Sequence, residues 1–268
     1  MRMTLTHLAM ACLGMALVPA AQAATVTVTF NQTAPAGGVG VAPVWLGFQD
    51  GSYNLFNVGG TASAGLTQAA EDGTSAGLTS AFGAANPTGV QGTLPGGPIF
   101  SGDTRTLTLN NVDLTGANRF LSYAAMVVIS NDFFVGNATP LDLSSIANGG
   151  AITLALGGNG GVYDAGAEIN DFNYSVANGA FGIGGGQTAP GQGNAENGVI
   201  HVVTGNPYTS FLGQGQVPAG FDWTPLDFNA QPAFASLTVE VSPVPEPASL
   251  ALMLSGLAVV AGIARRRR

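Results

Sequence analysis

Three carboxylates in the middle of the chain have residue types and spacing that could bind a metal ion. Asp132 follows an apolar stretch and is flanked by turn-forming residues, whereas Asp164 and Glu168 are four residues apart, with Asp171 close behind. Carboxylates on loops are hard oxygen ligands, and backbone carbonyls with water could complete a calcium shell. The same spacing is typical of solvated acids that cap turns, and the EF-hand pattern is absent. Both interpretations stay open from the spacing alone.

A serine and a histidine suggest a second chemistry, which is hydrolysis. Residues 73–77 read Gly-Thr-Ser-Ala-Gly and match the G-x-S-x-G pattern at Ser75, and His201 lies further along the chain. A nucleophile elbow needs a buried strand before the serine and a helix after it, and turn-forming residues surround Ser75 instead. Two carboxylates could serve a glycosidase, yet no pattern marks one with a raised pKa. We therefore predict no enzyme; the alternative is a secreted esterase or glycan hydrolase acting on exopolysaccharide.

The charge distribution excludes one class of partner. The 268-residue chain is 46% apolar and 8% charged, with a formal net charge of −8. Between residues 24 and 244, two arginines stand against fourteen acids, and the chain contains no lysine. Nucleic-acid binding needs clustered cations, so we expect no nucleic-acid partner. Divalent cations suit this acidic body better.

The elements that must position these residues are predicted to be β-strands. Residues 24–30 alternate apolar residues with threonine, which is the period-2 pattern of a half-buried strand. Residues 65–71 are the one segment with a helical pattern, and residues 179–198 are expected to form a long loop. Short strands between Gly, Asn and Pro clusters favour an all-β, antiparallel β-sandwich. The other predicted strands are 106–109, 125–130, 151–156 and 235–241.

Aromatic residues have two open roles in such a sandwich. They could form its core, or one or two could line a surface that contacts carbohydrate. The residues concerned are Trp45, Phe48, Tyr53, Phe56, Phe133 and Phe134.

The N-terminal residues 1–23 have the pattern of a secretory signal peptide. An arginine precedes an apolar run over residues 8–18, and Ala21-Gln22-Ala23 provides a cleavage site after Ala23. The single cysteine, Cys12, lies inside this segment, so we expect no disulfides in the exported body. With one histidine left in the body, a His/Cys zinc site is excluded there.

The C-terminal residues 242–268 combine three features of a sorting signal. The first feature is a short motif formed by Val244, Pro245, Glu246 and Pro247. The second is the uncharged stretch 248–264 that follows it, which is long enough for a short transmembrane helix. Four arginines, Arg265, Arg266, Arg267 and Arg268, end the chain and should stay cytoplasmic. The combination resembles the PEP-CTERM sorting signal of Gram-negative bacteria. That resemblance implies processing by an exosortase at the inner membrane and a transient membrane anchor.

The body of the chain, residues 24–241, resembles the spondin N-terminal domain of extracellular-matrix proteins. Four blocks carry the resemblance, at residues 43–51 (PVWLGFQDG), 70–73 (AEDG), 130–137 (SNDFFVGN) and 163–168 (YDAGAE). It implies an eight-stranded antiparallel β-sandwich that binds calcium at one end. The implied ligands are Asp132, Asp164 and Glu168, although animal members usually carry Asp at the last position. Asp171 would be an outer-shell acid.

We therefore expect a non-enzymatic exported protein of the cell envelope, cell surface or extracellular matrix. Its calcium-binding, spondin-like domain would act as an adhesion or biofilm-matrix binding module. The expected partners are an exosortase-type enzyme and an exopolysaccharide or matrix protein. A passive surface-layer role with no specific ligand is a further possibility.

Overall fold

Between residues 24 and 242, the described part of the chain forms two antiparallel β-sheets and two α-helices. A computed structural model describes residues 24–128, 130–170, 193–210, 222, 226–228, 232–242, 256–257 and 260–266. The helices are α1 (Ala64–Asp72) and α2 (Ala76–Ala85), with 3-10 turns at Ser144–Ile146 and Pro207–Ser210. The strands are β1 (Ala24–Gln32), β2 (Gly40–Val41), β3 (Trp45–Gln49), β4 (Val90–Thr93), β5 (Thr104–Val112), β6 (Phe120–Val128), β7 (Phe133–Gly136), β8 (Leu141–Asp142), β9 (Gly150–Leu156), β10 (Val162–Asp164), β11 (His201–Val202) and β12 (Ala235–Ser242).

The strands are divided between a small and a large sheet. The small sheet has the order β5-β1-β12-β9. The large sheet has the order β11-β10-β7-β6-β3-β4, and both β2 and β8 also pair with the central strand β6. Every strand pairing described is antiparallel. The described structure is mostly β, with antiparallel sheets as predicted, and it also contains a few helices.

The main core lies between the two sheets. In β1 the inward residues Val26, Val28 and Phe30 are fully buried, while the threonines between them are half-exposed. They belong to one apolar cluster with residues of the large sheet such as Leu46 and Leu121. Burying an apolar side chain of this size stabilises the fold by roughly 1.5–3 kcal/mol. The alternation seen in the sequence therefore reflects the inner and outer faces of the small sheet.

The helix pair packs on the opposite face of the large sheet. Leu66 of α1 and Leu78 and Phe82 of α2 form a second apolar cluster with Trp45 and Phe134. The Trp45 and Phe82 rings meet edge to face, with centroids 5.3 Å apart. Helix α1 begins at an N-cap serine, Ser63, whose hydroxyl accepts the Leu66 N–H at 3.3 Å.

Most of the six aromatic residues considered as core or carbohydrate-contacting residues are part of the core. Five of them are at most 5% exposed, and Tyr53 alone of the six is half-buried. A buried ring cannot contact a sugar, so these five do not line a carbohydrate surface. The five buried residues are Trp45, Phe48, Phe56, Phe133 and Phe134.

Two elements differ from the sequence expectation. Helix α2 was not predicted, because Gly77 and Gly83 have low helix propensity and interrupt its sequence. The rest of the segment is rich in alanine, which is a strong helix former. Strand β6 begins five residues earlier than expected, at Phe120. Its residues 121–125 are all buried, so this stretch shows no alternation.

Several predicted features lie outside the described residues. They include the signal peptide with Ala23, the 244–247 motif, Asp171, and Arg267 and Arg268. Most of the predicted transmembrane segment 248–264 does too, although residues 256–257 and 260–266 are helical. Within the part of the chain that the structure describes, no helix combines the length and apolar character needed to cross a membrane.

Candidate metal centre

Antiparallel pairing brings two of the predicted ligands together at one end of the large sheet. Asp132 directly precedes β7, and Asp164 is the last residue of β10. In the β7–β10 pair, Asp164 lies opposite Phe133, so the start of one strand meets the end of the other. The Ala165 N–H donates to the Asp132 carbonyl at 3.2 Å and continues this pairing past the strand.

Backbone N–H groups of the turn after β10 donate hydrogen bonds to the carboxylates of both Asp132 and Asp164. The Gly166 N–H donates to Asp164 Oδ1 at 2.6 Å. The N–H groups of Ala167 and Glu168 donate to Asp132 Oδ2 at 2.8 and 3.1 Å. Gly166 has a φ of +66°, and a Cβ there would stand 2.6 Å from the Val199 nitrogen. A glycine is therefore required at this point of the turn.

A third carboxylate comes from a distant part of the chain. Residues 194–198 run antiparallel to residues 166–169 and extend the pairing of β10 with β11. The Glu196 N–H donates to the Ala167 carbonyl at 2.9 Å, and the Gly198 N–H to the Gly166 carbonyl at 2.7 Å. This pairing places Glu196 beside Asp132 and Asp164.

The three acids form a compact set of oxygen ligands. One carboxylate oxygen from each of Asp132, Asp164 and Glu196 lies within 4.8 Å of the others. Asp132 and Asp164 are buried, whereas Glu196 is exposed. Asp132 Oδ1 is buried and has no hydrogen-bond donor among the residues described. Asn170 donates its Nδ2 to Asp164 Oδ2 at 2.5 Å, and its own buried Oδ1 is likewise unpaired within the described structure.

Burial, together with nearby negative charge, perturbs the pKa of Asp132. Burial, followed by the charge of Asp164, raises the pKa of Asp132 from 3.8 to about 7, and Glu196 adds a smaller contribution. The hydrogen bonds from Glu168 and Ala167 act in the opposite direction. A bound cation would reverse this balance, because it stabilises the ionised carboxylates.

Glu168 takes a different place from the one that the resemblance implies. Its carboxylate is not in the three-acid set; Glu168 Oε1 accepts from Asn131 Nδ2 at 3.3 Å, and its N–H supports Asp132. Glu196 takes the third position in that set. Sequence reasoning missed Glu196 because it falls in the predicted loop 179–198. The sequence signal that could have indicated it is the β-branched segment at residues 199–203, which follows Glu196 closely and predicts a strand there.

The serine and histidine of the hydrolase alternative are not hydrogen-bonded to each other. Ser75 lies between α1 and α2, and its hydroxyl pairs with the Thr93 hydroxyl at 2.7 Å. His201 Nδ1 lies 3.1 Å from the Val199 carbonyl, and its Nε2 lies 3.8 Å from Asp164 Oδ2. The serine is preceded by a helix rather than the strand that a nucleophile elbow requires.

The donor set fits a hard divalent cation. All of its members are carboxylates with oxygen ligands, and two of them are buried. Asp132 also has a buried Oδ1 with no hydrogen-bond partner among the residues described. Calcium takes six to eight oxygen ligands, including amide carbonyls and water. Asp132, Asp164 and Glu196 would hold the ion, and the side-chain amide of Asn170 contacts Asp164.

Comparison with known proteins identifies the C-terminal segment. Residues 243–268 match the model of the PEP-CTERM protein-sorting motif. The chain has no detectable relative among curated proteins. PEP-CTERM signals are processed by exosortase, a membrane enzyme, and they indicate export to the envelope or surface of Gram-negative bacteria. The chain therefore carries the sorting signal of an exported, exosortase-processed protein.

Proposed function

We propose that this protein is a non-enzymatic adhesion or biofilm-matrix module whose spondin-like β-sandwich binds calcium. The observation that carries the proposal is the set formed by Asp132, Asp164 and Glu196, with a buried and unpaired oxygen on Asp132. An ionised, buried carboxylate oxygen with no partner is unfavourable, and a bound cation would satisfy it. The sorting signal supports a location where such a module would meet matrix polymers and extracellular calcium.

Calcium would connect segments that are distant in sequence. Asp132 precedes β7, Asp164 ends β10, and Glu196 belongs to the segment before β11. An ion bound by all three would tie these strands together at one end of the large sheet. Ordering these segments in advance lowers the conformational entropy lost when a partner binds.

Thermal unfolding of the full-length protein tests the calcium site. The protein is exported in a Gram-negative host, purified in mild detergent, and unfolded in calcium and in chelator. A ligand present at about 100 times its Kd stabilises the folded state by about 2.7 kcal/mol. For a protein of this size we expect a rise in Tm of roughly 5–10 °C. Magnesium and sodium at matched ionic strength control for charge screening.

Matched variants locate the response. Asp132→Asn should abolish the calcium-dependent rise in Tm and raise the Tm in chelator, because it removes the buried charge. Glu196→Gln should weaken calcium binding in calorimetry at least tenfold, and more than Glu168→Gln does. Asp50→Asn is the control, because Asp50 is an exposed acid that caps a turn at Ser52. A calcium response retained in Asp132→Asn and Glu196→Gln would overturn the proposed site.

A further inference from the structure

The outer face of the small sheet carries a regular array of threonines. In β1 the outward residues Thr25, Thr27 and Thr29 alternate with buried valines. The strand registers place Thr106, Thr29, Thr238 and Thr153 opposite one another, in one row across all four strands. Same-face residues repeat about every 6.7 Å along a strand and about every 4.8 Å across strands. The result is a two-dimensional grid of hydroxyl and methyl groups.

The grid is almost free of charge. The outward positions of the small sheet are occupied by Thr, Ser, Asn or Ala, with Glu240 as the one charged residue among those described. Solvent-facing sheet surfaces commonly carry charges that prevent unwanted association. Here the surrounding body is strongly acidic and contains two arginines. An anionic polymer would be repelled, and the grid also lacks the large apolar side chains of a dimer interface.

We propose that this threonine grid binds an extended neutral polysaccharide. The inference rests on the proposed function, because it names the partner of a surface-binding module. Its location is independent of the candidate metal centre, which lies at the β7–β10–β11 end of the large sheet.

The hydrogen-bonding groups of the grid suit a hydroxyl-rich chain. Neighbouring hydroxyls already pair across strands: Thr153 with Thr238 at 2.9 Å, and Thr29 with Thr106 at 3.4 Å. Each hydroxyl has one donor and two acceptor sites, so every pair keeps capacity for a sugar hydroxyl. The threonine methyl groups offer apolar contact to the C–H faces of sugar rings. Because the strands hold the groups rigidly, many weak contacts can add along one chain.

Retention of the protein on two neutral polymers and one charged polymer tests the proposal. Full-length protein in mild detergent is titrated onto microcrystalline cellulose, cross-linked dextran and carboxymethyl cellulose at constant ionic strength. We expect saturable binding to at least one neutral polymer and at least tenfold weaker binding to carboxymethyl cellulose. The charged polymer shares the cellulose backbone, so the comparison isolates the effect of negative charge.

Two triple variants of the grid report on the threonine row. Thr29→Lys, Thr106→Lys and Thr238→Lys combined should weaken retention at least tenfold. The combination Thr29→Val, Thr106→Val and Thr238→Val keeps the β-branched shape and removes the hydroxyls, so it should also weaken retention. This variant tests the role of the hydroxyls even if the lysine variant fails to fold. The control adds three lysines at exposed positions of α2: Ser80, Ala81 and Ala84. It should bind like the wild type.

The outcomes separate this proposal from the calcium site. Binding unchanged in both grid variants, or no saturable binding of the wild type to any neutral polymer, would overturn the polysaccharide proposal. Self-association of the wild type in light scattering, lost in the grid variants, would instead make the grid an interface between copies. The calcium-dependent rise in Tm should persist in the valine variant. If Asp132→Asn loses the calcium-dependent rise in Tm and still binds the polysaccharide, the two sites are independent.

Discussion

At the scale of single residues, Asp132 is a buried carboxylate in an unfavourable environment. It is fully buried, one oxygen accepts two backbone N–H bonds, and the other has no donor in the described residues. Asp164 and Glu196 add negative charge beside it. Without a cation, the fold can relieve this strain by holding a proton on Asp132.

The stability of the calcium-free protein should therefore depend on pH through Asp132. Its pKa is raised from 3.8 to about 7 by burial and by Asp164. Between these values the folded state binds a proton that the unfolded chain releases, so the free energy of unfolding falls as pH rises from about 4 to 7. The full loss is at most about 4 kcal/mol. Urea unfolding in chelator at pH 4, 5, 6 and 7 measures it.

Asp132→Asn provides the comparison for this pH series. The variant cannot titrate at that position, so its free energy of unfolding should vary less over the same range. An identical pH dependence in both proteins would show that Asp132 keeps an ordinary pKa.

At the scale of elements, the helix pair depends on two glycines. A Cβ at Gly65 of α1 would stand 2.8 Å from the Gly77 carbonyl carbon, and one at Gly77 of α2 would stand 2.8 Å from the Gly65 Cα. These backbones can approach so closely because neither residue has a side chain. Leu66 of α1 and Leu78 of α2, each next to one of these glycines, both pack in the second apolar cluster.

Gly65→Ala or Gly77→Ala should destabilise the protein by roughly 1–3 kcal/mol, because the added methyl group forces the helices apart. Gly83→Ala in α2 is the matched control, since its Cβ would meet the Gln91 amide nitrogen at an ordinary 3.4 Å. Higher helix propensity should make that variant neutral, or stabilise it by up to about 1 kcal/mol. Chemical unfolding compares the three variants. Equal effects at all three glycines would contradict the close helix contact.

At the scale of the whole molecule, charge is segregated along the chain. Residues 24–244 carry fourteen acids and two arginines, while Arg265 to Arg268 form a basic cluster at the end of the matched sorting motif. The positive-inside rule counts Lys and Arg and gives little weight to acids, so this arginine cluster favours the cytoplasmic side.

Replacing Pro245, Glu246 and Pro247 together with alanine should block processing of the sorting signal. Most molecules should then keep their C-terminal residues and remain in the inner-membrane fraction. Intact mass and cell fractionation in an exosortase-containing host measure this outcome. Ser242→Ala, just before the matched segment, should be processed like the wild type. Wild-type processing of the alanine variant would show that the motif is dispensable.

Much of the small sheet could be predicted from sequence because its pattern is local. Strands β1, β5, β9 and β12 have an inner and an outer face, so burial alternates with a period of two. The sorting signal is equally local, because it is a linear motif with fixed order. Strand β6 was predicted only in part, because most of its residues are buried on both faces.

Tertiary structure decided which acids meet. Asp164 follows Asp132 by 32 residues and Glu196 follows Asp164 by another 32, and no local pattern connects the three acids. They converge because β7, β10 and the segment before β11 pair antiparallel at one end of the large sheet. The four-threonine row has the same origin, since strand register, and not spacing along the chain, aligns its members. Local sequence patterns thus predicted the strands and the sorting signal. The candidate sites depend on pairing between strands that are distant in sequence, which no local pattern reveals.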